Sequence, residues 1–445
     1  MIMKKYRYLS LVMAAVMFFL FPCAVFADDT EVSSDPPEIQ HAASAYLYNF
    51  ENDRVLYEYN SSDRVYPAST VKIMTAIVAF EKYSDNLDAE ITVKQSMLDE
   101  VNGNRIGFQA GEVVTAREML SCMLVNSAND AAIILANAVA GSTSDFVELM
   151  NKKAAEIGAF DTYYTNPTGM HNDAMITTAK DTAIISKYAY SVPGLIDMTS
   201  TPKYVMPATN LSDYRNIYNR NSMLSNYYSA GYYYTGTLGL NAGATSQGGY
   251  SISAVAEDAE NGLTYLAVVL GADEEDDGIY SYKNAIALLD WAFSAYGYRT
   301  VLSRDKMICE LPVNLSSTLD YVTLVPASDI TVYLPTSVNL DTEIRYSYNT
   351  YEESLDAPVE SGQNVGNITV LYGDAILGSC PLITTSSITR SEFLYFLQRV
   401  KNFTDSRFFR GTVVGIIVIS IAYALITAAI RERKLRHSYS SYRRR

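Results

Sequence analysis

The spacing of hydrophobic positions changes along the first 300 residues of this 445-residue chain, and each change predicts a different element. The stretches AASAYLYNF and RVLYEYN flank the polar ENDR, which is typical of a strand, a turn and a strand. Apolar residues at helical spacing follow, and two of the helices close at Gly141 and Gly158. From Tyr250 the strand pattern returns in YSISAVAE and LTYLAVVLGA, before a last helix, NAIALLDWAFSAY. The pattern predicts an α/β (α+β) domain with a helical insertion over residues 41–298.

The pattern after this domain is different. Residues 299–388 hold short strand-like runs such as DITVYLP and NITVLYG, broken by Gly, Pro and Asn, which predicts a small all-β sandwich domain. Residues 389–410 read as an amphipathic helix near the membrane surface. Thr389 and Glu392 have the spacing of a capping box, so we expect that helix to begin there.

The N-terminal end indicates export. Residues 1–27 have a basic start, a short apolar stretch and small residues before DDTE, the layout of a cleaved signal peptide. A lipid-modified Cys23 is the alternative, but Pro22 directly before it fits that kind of site poorly. Residues 28–40 are acidic and contain Pro-Pro, so they are interpreted as a flexible leader.

The C-terminal end indicates a membrane anchor. Residues 411–430 carry no charge and, as a helix, are long enough to cross a bilayer. A buried core helix is the alternative, but the basic residues 431–445 that follow favour a transmembrane helix with a cytoplasmic tail. We therefore expect a single-pass protein in the cell membrane with its body outside, facing the cell wall.

Charge and composition exclude several classes of function. The formal net charge is −15, and residues 28–410, without the basic signal and tail, carry −24. Nucleic acid is not expected as a partner, because phosphate binding relies on clustered Lys and Arg. The odd number of cysteines after signal cleavage does not fit a disulfide framework, and none of these cysteines has metal-ligand spacing to another Cys or His. We expect no metal and no cofactor.

The stretch YPASTVKIMTAIVAF carries the first candidate chemistry. Ser69 and Lys72 are three residues apart, so in a helix that begins near Ser69 they share a face. Apolar neighbours would solvate a lysine ammonium poorly and lower its pKa toward that of an amine able to take a serine proton. An ordinary helix start is the common alternative for a lone S-x-x-K match.

A second group follows at VNSANDAA, where Ser127 and Asn129 stand in a tight turn between two apolar helices. The motifs PASTVK, NSAND, NPTGMH, TTAKDTA and AVVLGA occur in the order found in D-alanyl-D-alanine carboxypeptidases, the low-molecular-mass penicillin-binding proteins. The C-terminal stretch LDAPVESGQNVGNITVLYGDAILGSCPLI also resembles the β-rich domain of that family. The resemblance covers residues 41–400.

The resemblance implies a role for each matching residue. Ser69 would be the nucleophile that forms an acyl-enzyme, Lys72 its general base, and Ser127 a proton relay to the leaving group. Asn129 would hold the substrate amide, and backbone N–H groups of Ser69 and the edge strand would form the oxyanion hole. The implied partners are peptidoglycan stem peptides as substrates and β-lactams as covalent inhibitors of Ser69.

The edge strand departs from the family pattern. Where the family carries Lys-Thr-Gly, this chain has Asn241, Ala242 and Gly243, followed by Ala244, which still offers a backbone N–H. The lost cation and hydroxyl would grip the substrate carboxylate, so hydrolysis is expected to be weak. Arg220 is a candidate replacement for the cation, and simple drift on a surface strand is the alternative explanation for Asn241.

Three functions therefore remain open from the sequence. The first is a serine-type D-Ala-D-Ala carboxypeptidase that trims the terminal D-alanine from stem peptides. The second is a catalytically impaired homologue with a wall-binding or scaffolding role. The third is a serine β-lactamase, which would ordinarily lack the β-rich domain and the anchor.

Overall fold

The computed structural model describes residues 35–442, which form two compact units. The first unit extends to Gly297 and includes Pro335–Ser337, and the second contains Tyr298–Leu334 and the residues from Val338 onward. The predicted signal peptide 1–27, residues 28–34 of the predicted leader and the final residues 443–445 lie outside the described residues.

The first unit is built on an antiparallel sheet. Its strands, in chain order, are β1 (Ala42–Asn49), β2 (Arg54–Tyr59), β3 (Glu90–Thr92), β4 (Val113–Thr115), β5 (Lys203–Met206), β6 (Arg215–Tyr218), β7 (Thr237–Thr245), β8 (Gly249–Asp258), β9 (Leu263–Ala272), β10 (Glu274–Glu275) and β11 (Gly278–Ile279). Five of them form the main sheet in the order β2-β1-β9-β8-β7, so β7 is an edge strand. The other six pair as β3-β4, β5-β6 and β10-β11.

Helices cover this sheet and form the insertion that the sequence predicts. They are α1 (Val71–Tyr83), α2 (Gln95–Leu98), α3 (Ala116–Asn126), α4 (Asn129–Ala140), α5 (Thr143–Glu156), α6 (Ala179–Ser191), α7 (Leu195–Thr199) and α8 (Tyr280–Ala295). Helix α1 lies inside the core, where Val71, Met74 and Ile77 have no exposed surface. A helix enclosed on nearly all sides holds its side chains in fixed positions, since the interior is close-packed.

The second unit is rich in β-structure. Its strands are β12 (Tyr296–Leu302), β13 (Cys309–Asn314), β14 (Tyr321–Pro326), β15 (Ile330–Pro335), β16 (Ile344–Thr350), β17 (Leu355–Asp356), β18 (Asn364–Tyr372) and β19 (Ala375–Thr384), of which the first two residues of β12 and the last of β15 belong to the first unit. Six form a sheet in the order β16-β18-β19-β14-β13-β17, and β12 pairs with β15. The predicted fold class, an α/β domain followed by an all-β domain, is confirmed.

Two helices follow, α9 (Glu392–Asp405) and α10 (Arg407–Tyr442). The predicted capping box at Thr389 is wrong. Helix α9 begins at Glu392, and the Ser391 hydroxyl caps it by accepting a hydrogen bond from the backbone N–H of Leu394. Thr389 stands too early in the chain to reach the first turn, and Glu392 instead accepts hydrogen bonds from Arg390.

Helix α10 contains a candidate membrane span. Within its segment Arg407–Lys434, an 18-residue window has a mean hydropathy of 2.6, and none of that window is buried. Among the described residues, α4 and α5 pass the same test only as a pair bent by 86°. Those two helices supply buried core residues such as Ile134 and Phe146, so they are core helices of the first unit.

Candidate active site

Ser69 lies in a short 3-10 turn, Ala68–Thr70, that leads directly into α1. The Lys72 amine donates hydrogen bonds to the Ser69 hydroxyl, over a Nζ to Oγ distance of 3.4 Å, and to the Thr168 carbonyl at 2.6 Å. The Lys72 side chain is 1% exposed. The two residues that the sequence pairs by spacing are therefore in contact, and the amine is out of bulk water.

Burial changes the acid–base chemistry of this lysine. Loss of hydration lowers the pKa of Lys72 from its ordinary 10.5 to about 7, and the positive charge of Arg220 contributes in the same direction. A substantial fraction of the amine is thus neutral near pH 7, and a neutral amine can accept a proton from the neighbouring hydroxyl.

The loop 166–171 closes against the turn that carries Ser69. The Asn166 side-chain oxygen accepts hydrogen bonds from the backbone N–H groups of Thr168 and Gly169, at 3.1 and 2.9 Å. Gly169 has φ +80°, and a Cβ there would lie 2.0 Å from the Ala68 carbonyl oxygen. This tight fit explains why residue 169 is glycine. It also brings the Thr168 carbonyl within hydrogen-bond distance of the Lys72 amine.

Ser127 and Asn129 stand at the junction of α3 and α4, as the sequence predicts. Ser127 adopts the left-handed conformation, with φ +54°, and ends α3. Its hydroxyl is buried and has no hydrogen-bond partner within residues 35–442. The Asn129 side-chain NH₂ donates to the Asn102 carbonyl at 2.6 Å, and its backbone N–H donates to the Asn104 carbonyl at 2.8 Å.

The two hydrogen bonds of Asn129 attach the loop that carries Asn102 and Asn104 to this junction. The sequence did not predict that this loop belongs to the site. Its residues 106–108 are held by Asp130, whose carboxylate accepts backbone N–H groups of Ile106 at 3.1 Å and Gly107 at 2.8 Å. Asp130 is 1% exposed and belongs to the quoted NSAND motif, which was the available signal for it. The loop itself contains no pattern that marks it as part of a site.

The edge strand β7 runs beside Ser69. A Cβ on Gly243 would lie 2.5 Å from the Ser69 Cβ and 2.6 Å from its Oγ, so the strand backbone is in direct contact with the hydroxyl-bearing side chain. Asn241 shares this strand face, because residues two apart in a strand point the same way. It is 2% exposed and its Oδ1 has no partner among the described residues. Asn241 is thus a buried residue and not part of an exposed surface strand.

Three further predicted residues have different surroundings. Ala242 is buried and Ala244 is exposed on the same strand. The Arg220 guanidinium donates to the Asn104 side-chain oxygen at 3.0 Å and lies 4.5 Å from the centre of the Tyr228 ring. No carboxylate of the described chain forms an ion pair with it. The structure therefore brings Arg220 close enough to Lys72 to affect its pKa, and leaves its charge unneutralised.

Among the described residues, the cysteines and possible metal ligands give no other catalytic centre. Cys122, Cys309 and Cys380 are free thiols. Within residues 35–442, His41, Asp273 and Glu275 have ligand atoms within 4.8 Å of one another, but all three are exposed. Exposed groups of this kind are common on protein surfaces.

The chain belongs to the D-alanyl-D-alanine carboxypeptidase family, whose model matches residues 30–274. A model of the penicillin-binding protein 5 C-terminal domain matches residues 296–390. The protein is accordingly a serine hydrolase of this family. The resemblance drawn from the motifs is confirmed.

Individual relatives support the same assignment. The chain is 27% identical to D-alanyl-D-alanine carboxypeptidase DacF of Bacillus subtilis over 402 residues, which are 88% of this chain and 97% of that protein. It is 26% identical to DacD of Escherichia coli over 399 residues, 85% of this chain and 95% of the relative. Among solved structures, penicillin binding protein 5 from Haemophilus influenzae has the same fold, with a TM-score of 0.56 and 24% identity over 80% of this chain and 99% of that one.

Replacing Gly243 by alanine should lower the rate of acylation at Ser69 by at least about 100-fold without unfolding the protein. Gly243 lies outside the left-handed region, so alanine can adopt its backbone conformation, but the added methyl would displace the Ser69 side chain. A displacement near 1 Å can cost about 10²-fold in rate. The measurement is the rate at which a fluorescent penicillin labels the full-length protein in detergent, together with a thermal melt.

Gly297→Ala is the matched control, because nothing lies within 4 Å of its Cβ position and its backbone is not left-handed. It should label at the wild-type rate. Wild-type labelling of Gly243→Ala would show that the strand does not confine Ser69.

Proposed function

We propose that this protein is a D-Ala-D-Ala carboxypeptidase that removes the terminal D-alanine from peptidoglycan stem peptides through an acyl-enzyme at Ser69. The observation that carries the proposal is the contact between the Ser69 hydroxyl and a fully buried lysine amine. The family membership and the relatives named as carboxypeptidases support the substrate class.

The proposed chemistry has two stages. The Ser69 Oγ attacks the carbonyl between the two D-alanines as its proton passes to the Lys72 Nζ. The bond to the terminal D-alanine breaks when its nitrogen receives that proton from Lys72 by way of Ser127, which releases D-alanine, leaves an ester on Ser69 and returns Lys72 to its neutral form. Water then attacks this ester while the Lys72 Nζ accepts its proton. The bond to the Ser69 Oγ breaks, the Oγ takes that proton from Lys72, and the shortened peptide is released.

Other groups would hold the substrate. The unpartnered Ser127 hydroxyl keeps its full hydrogen-bonding capacity for a ligand. Asn129 uses one side-chain N–H on the Asn102 carbonyl, so its second N–H and its oxygen remain for a substrate amide. The backbone N–H groups of Ser69 and Ala244 are the proposed oxyanion hole.

Activity on peptides that end in a carboxylate is proposed to be weaker than with Lys-Thr-Gly in place. Losing one charge-assisted hydrogen bond costs about 1.5–3 kcal/mol, or about ten- to a hundredfold in transition-state binding. Arg220 is the proposed substitute cation, supported by its unneutralised charge and its effect on the pKa of Lys72. If it does not compensate, the alternative is a scaffolding protein that still acylates.

Two substitutions test this account of carboxylate recognition. Asn241→Lys should raise the kcat/KM for D-alanine release by about tenfold or more, because it restores a charge beside Ser69. Asn241→Met, of similar length and no charge, is its control and should not. Arg220→Ala should raise KM by about ten- to a hundredfold. If D-alanine release from a pentapeptide is unchanged in both Asn241→Lys and Arg220→Ala, neither position recognises the carboxylate.

One experiment separates the two functions. The full-length protein in detergent is incubated with fluorescent penicillin, and D-alanine release from a pentapeptide is measured in parallel. Labelling with release supports the carboxypeptidase. Labelling without release supports the impaired scaffold, and the absence of both would contradict an acyl-transfer function.

We also propose that α10 anchors the protein in the cell membrane, with both folded units outside and the basic tail 431–445 inside. The apolar segment, of which no part is buried, and the basic residues after it support this topology. A C-terminal tag should resist protease added to intact cells, and digestion of that tag would contradict the orientation.

A further inference from the structure

Four side chains contact one another in a closed cycle that includes the Arg220 guanidinium. We call them the Arg220 ring: Arg220, Asn104, Asn126 and Tyr228. Arg220 donates to the Asn104 side-chain oxygen at 3.0 Å. The Asn104 NH₂ donates to the Asn126 backbone carbonyl at 2.7 Å and to its side-chain oxygen at 3.1 Å. The Asn126 NH₂ donates to the Tyr228 hydroxyl at 2.7 Å, and the Tyr228 ring lies on Arg220.

The ring is joined to the residues at the α3–α4 junction. The Asn104 NH₂ also donates to the Ser127 carbonyl at 3.2 Å, and the Asn104 carbonyl accepts the backbone N–H of Asn129. Asn126 is 7% exposed, so the ring has a buried base beneath two exposed members. A substitution at Tyr228 can therefore change the position of the Arg220 guanidinium, which the Tyr228 ring contacts directly.

Tyr228 is itself supported by other aromatic residues. Tyr227 meets it edge-on, with ring centres 5.0 Å apart, and stacks on Tyr218 at 3.8 Å with nearly parallel planes. Stacked and edge-to-face pairs of this kind stabilise one ring orientation. The Tyr228 face is thus held against Arg220 although 44% of the residue is exposed.

An aromatic face restrains a cation differently from a carboxylate. A salt bridge would neutralise the guanidinium, whereas the tyrosine ring and the Asn104 amide hold it and leave the full charge available. An exposed arginine without such contacts samples many rotamers, and ordering it on binding costs entropy. The Arg220 ring thus keeps an unneutralised cation in one position before any anion arrives.

We propose that Tyr228 is a positioning residue that holds Arg220 for substrates with a free terminal carboxylate, and so sets the preference for that class. The proposal rests on the carboxypeptidase function and adds a residue that lies outside the motifs quoted above. Tyr228 touches Arg220, and it acts on the substrate only through that contact.

The test compares Tyr228→Leu, which removes the ring, with Tyr228→Phe, which keeps the ring and loses the hydroxyl. Each full-length variant is assayed in detergent on a D-Ala-D-Ala peptide and on its C-terminal amide. Tyr228→Leu should raise KM for the free acid about three- to tenfold, with kcat and the amide little changed. Tyr228→Phe should recover part of that loss.

Two further comparisons separate positioning from damage to the fold. Tyr233→Leu is the matched control, because Tyr233 lies in the same Tyr-rich segment and is 59% exposed. In an Arg220→Ala background, Tyr228→Leu should have no further effect on KM, because Tyr228 acts on the substrate only through Arg220. Equal losses on acid and amide, an effect that persists without Arg220, or no effect at all would each overturn the proposal.

Failure of the carboxypeptidase function would be distinguishable. If the wild type releases no D-alanine, the same variants are compared by their acylation rates with a penicillin and its methyl ester, which differ in one carboxylate. A selective loss on the free acid in Tyr228→Leu would support the ring without hydrolysis. Equal rates for acid and ester in the wild type would overturn it.

Discussion

Replacing Ser69 by alanine should abolish covalent labelling by fluorescent penicillin and lower D-alanine release by about 10⁴-fold or more, as expected when a nucleophile that acts with its base is removed. Among the described residues, the Ser69 Oγ is the only hydroxyl that accepts a hydrogen bond from the Lys72 amine, whose other acceptor is a backbone carbonyl. The measurements are gel fluorescence after incubation and D-alanine release at saturating peptide.

The control for this substitution is Ser84→Ala, which removes a hydroxyl from the other end of the same helix. The Ser84 hydroxyl donates to the Glu81 carbonyl and is exposed. This variant should label like the wild type. A label that persists on Ser69→Ala would place the acyl group on another residue and remove the basis of the proposed mechanism.

Replacing Lys72 by methionine should slow acylation by about 10²–10⁴-fold, the usual contribution of a positioned general base. Methionine fills a similar volume without a proton acceptor, so the helix should remain packed. In the wild type the acylation rate should rise with pH around a midpoint near 7, because the pKa of Lys72 is lowered to about 7 and only the neutral amine accepts the proton. The variant should lose this midpoint.

Lys82→Met, on an exposed turn of the same helix, is the control and should keep both the acylation rate and its pH profile.

The stability of the fold provides a second readout of the Lys72 pKa. Between about pH 7 and 10.5 the unfolded chain binds a proton at Lys72 that the folded protein releases, so this residue destabilises the fold less as pH rises. Lys72→Met should flatten that rise in unfolding free energy, and an unchanged slope would contradict the lowered pKa.

Much of the site could be predicted because its parts are local in sequence. The contact between Ser69 and Lys72 follows from helical spacing, and the Ser127 turn follows from polar residues between two apolar runs. The α/β fold and the apolar C-terminal helix likewise follow from the period and length of their patterns.

The remaining parts depend on contacts between segments far apart in the chain. The Thr168 carbonyl that accepts from Lys72 is a backbone group, which no residue type reveals. Asn104 and Tyr228 meet Arg220 only after loops fold together, and hydrophobic periodicity says nothing about loop packing. The prediction of the α9 N-cap is wrong for a related reason. Several neighbouring residues have side chains that can cap a helix, and the backbone geometry determines that Ser391 does so.

The buried Asp130 carboxylate has a consequence for turnover. By accepting the N–H groups of Ile106 and Gly107, it fixes the loop that carries Asn102 and Asn104 before any ligand arrives. The conformational entropy of ordering this loop is therefore lost once, when the protein folds, and not in every catalytic cycle.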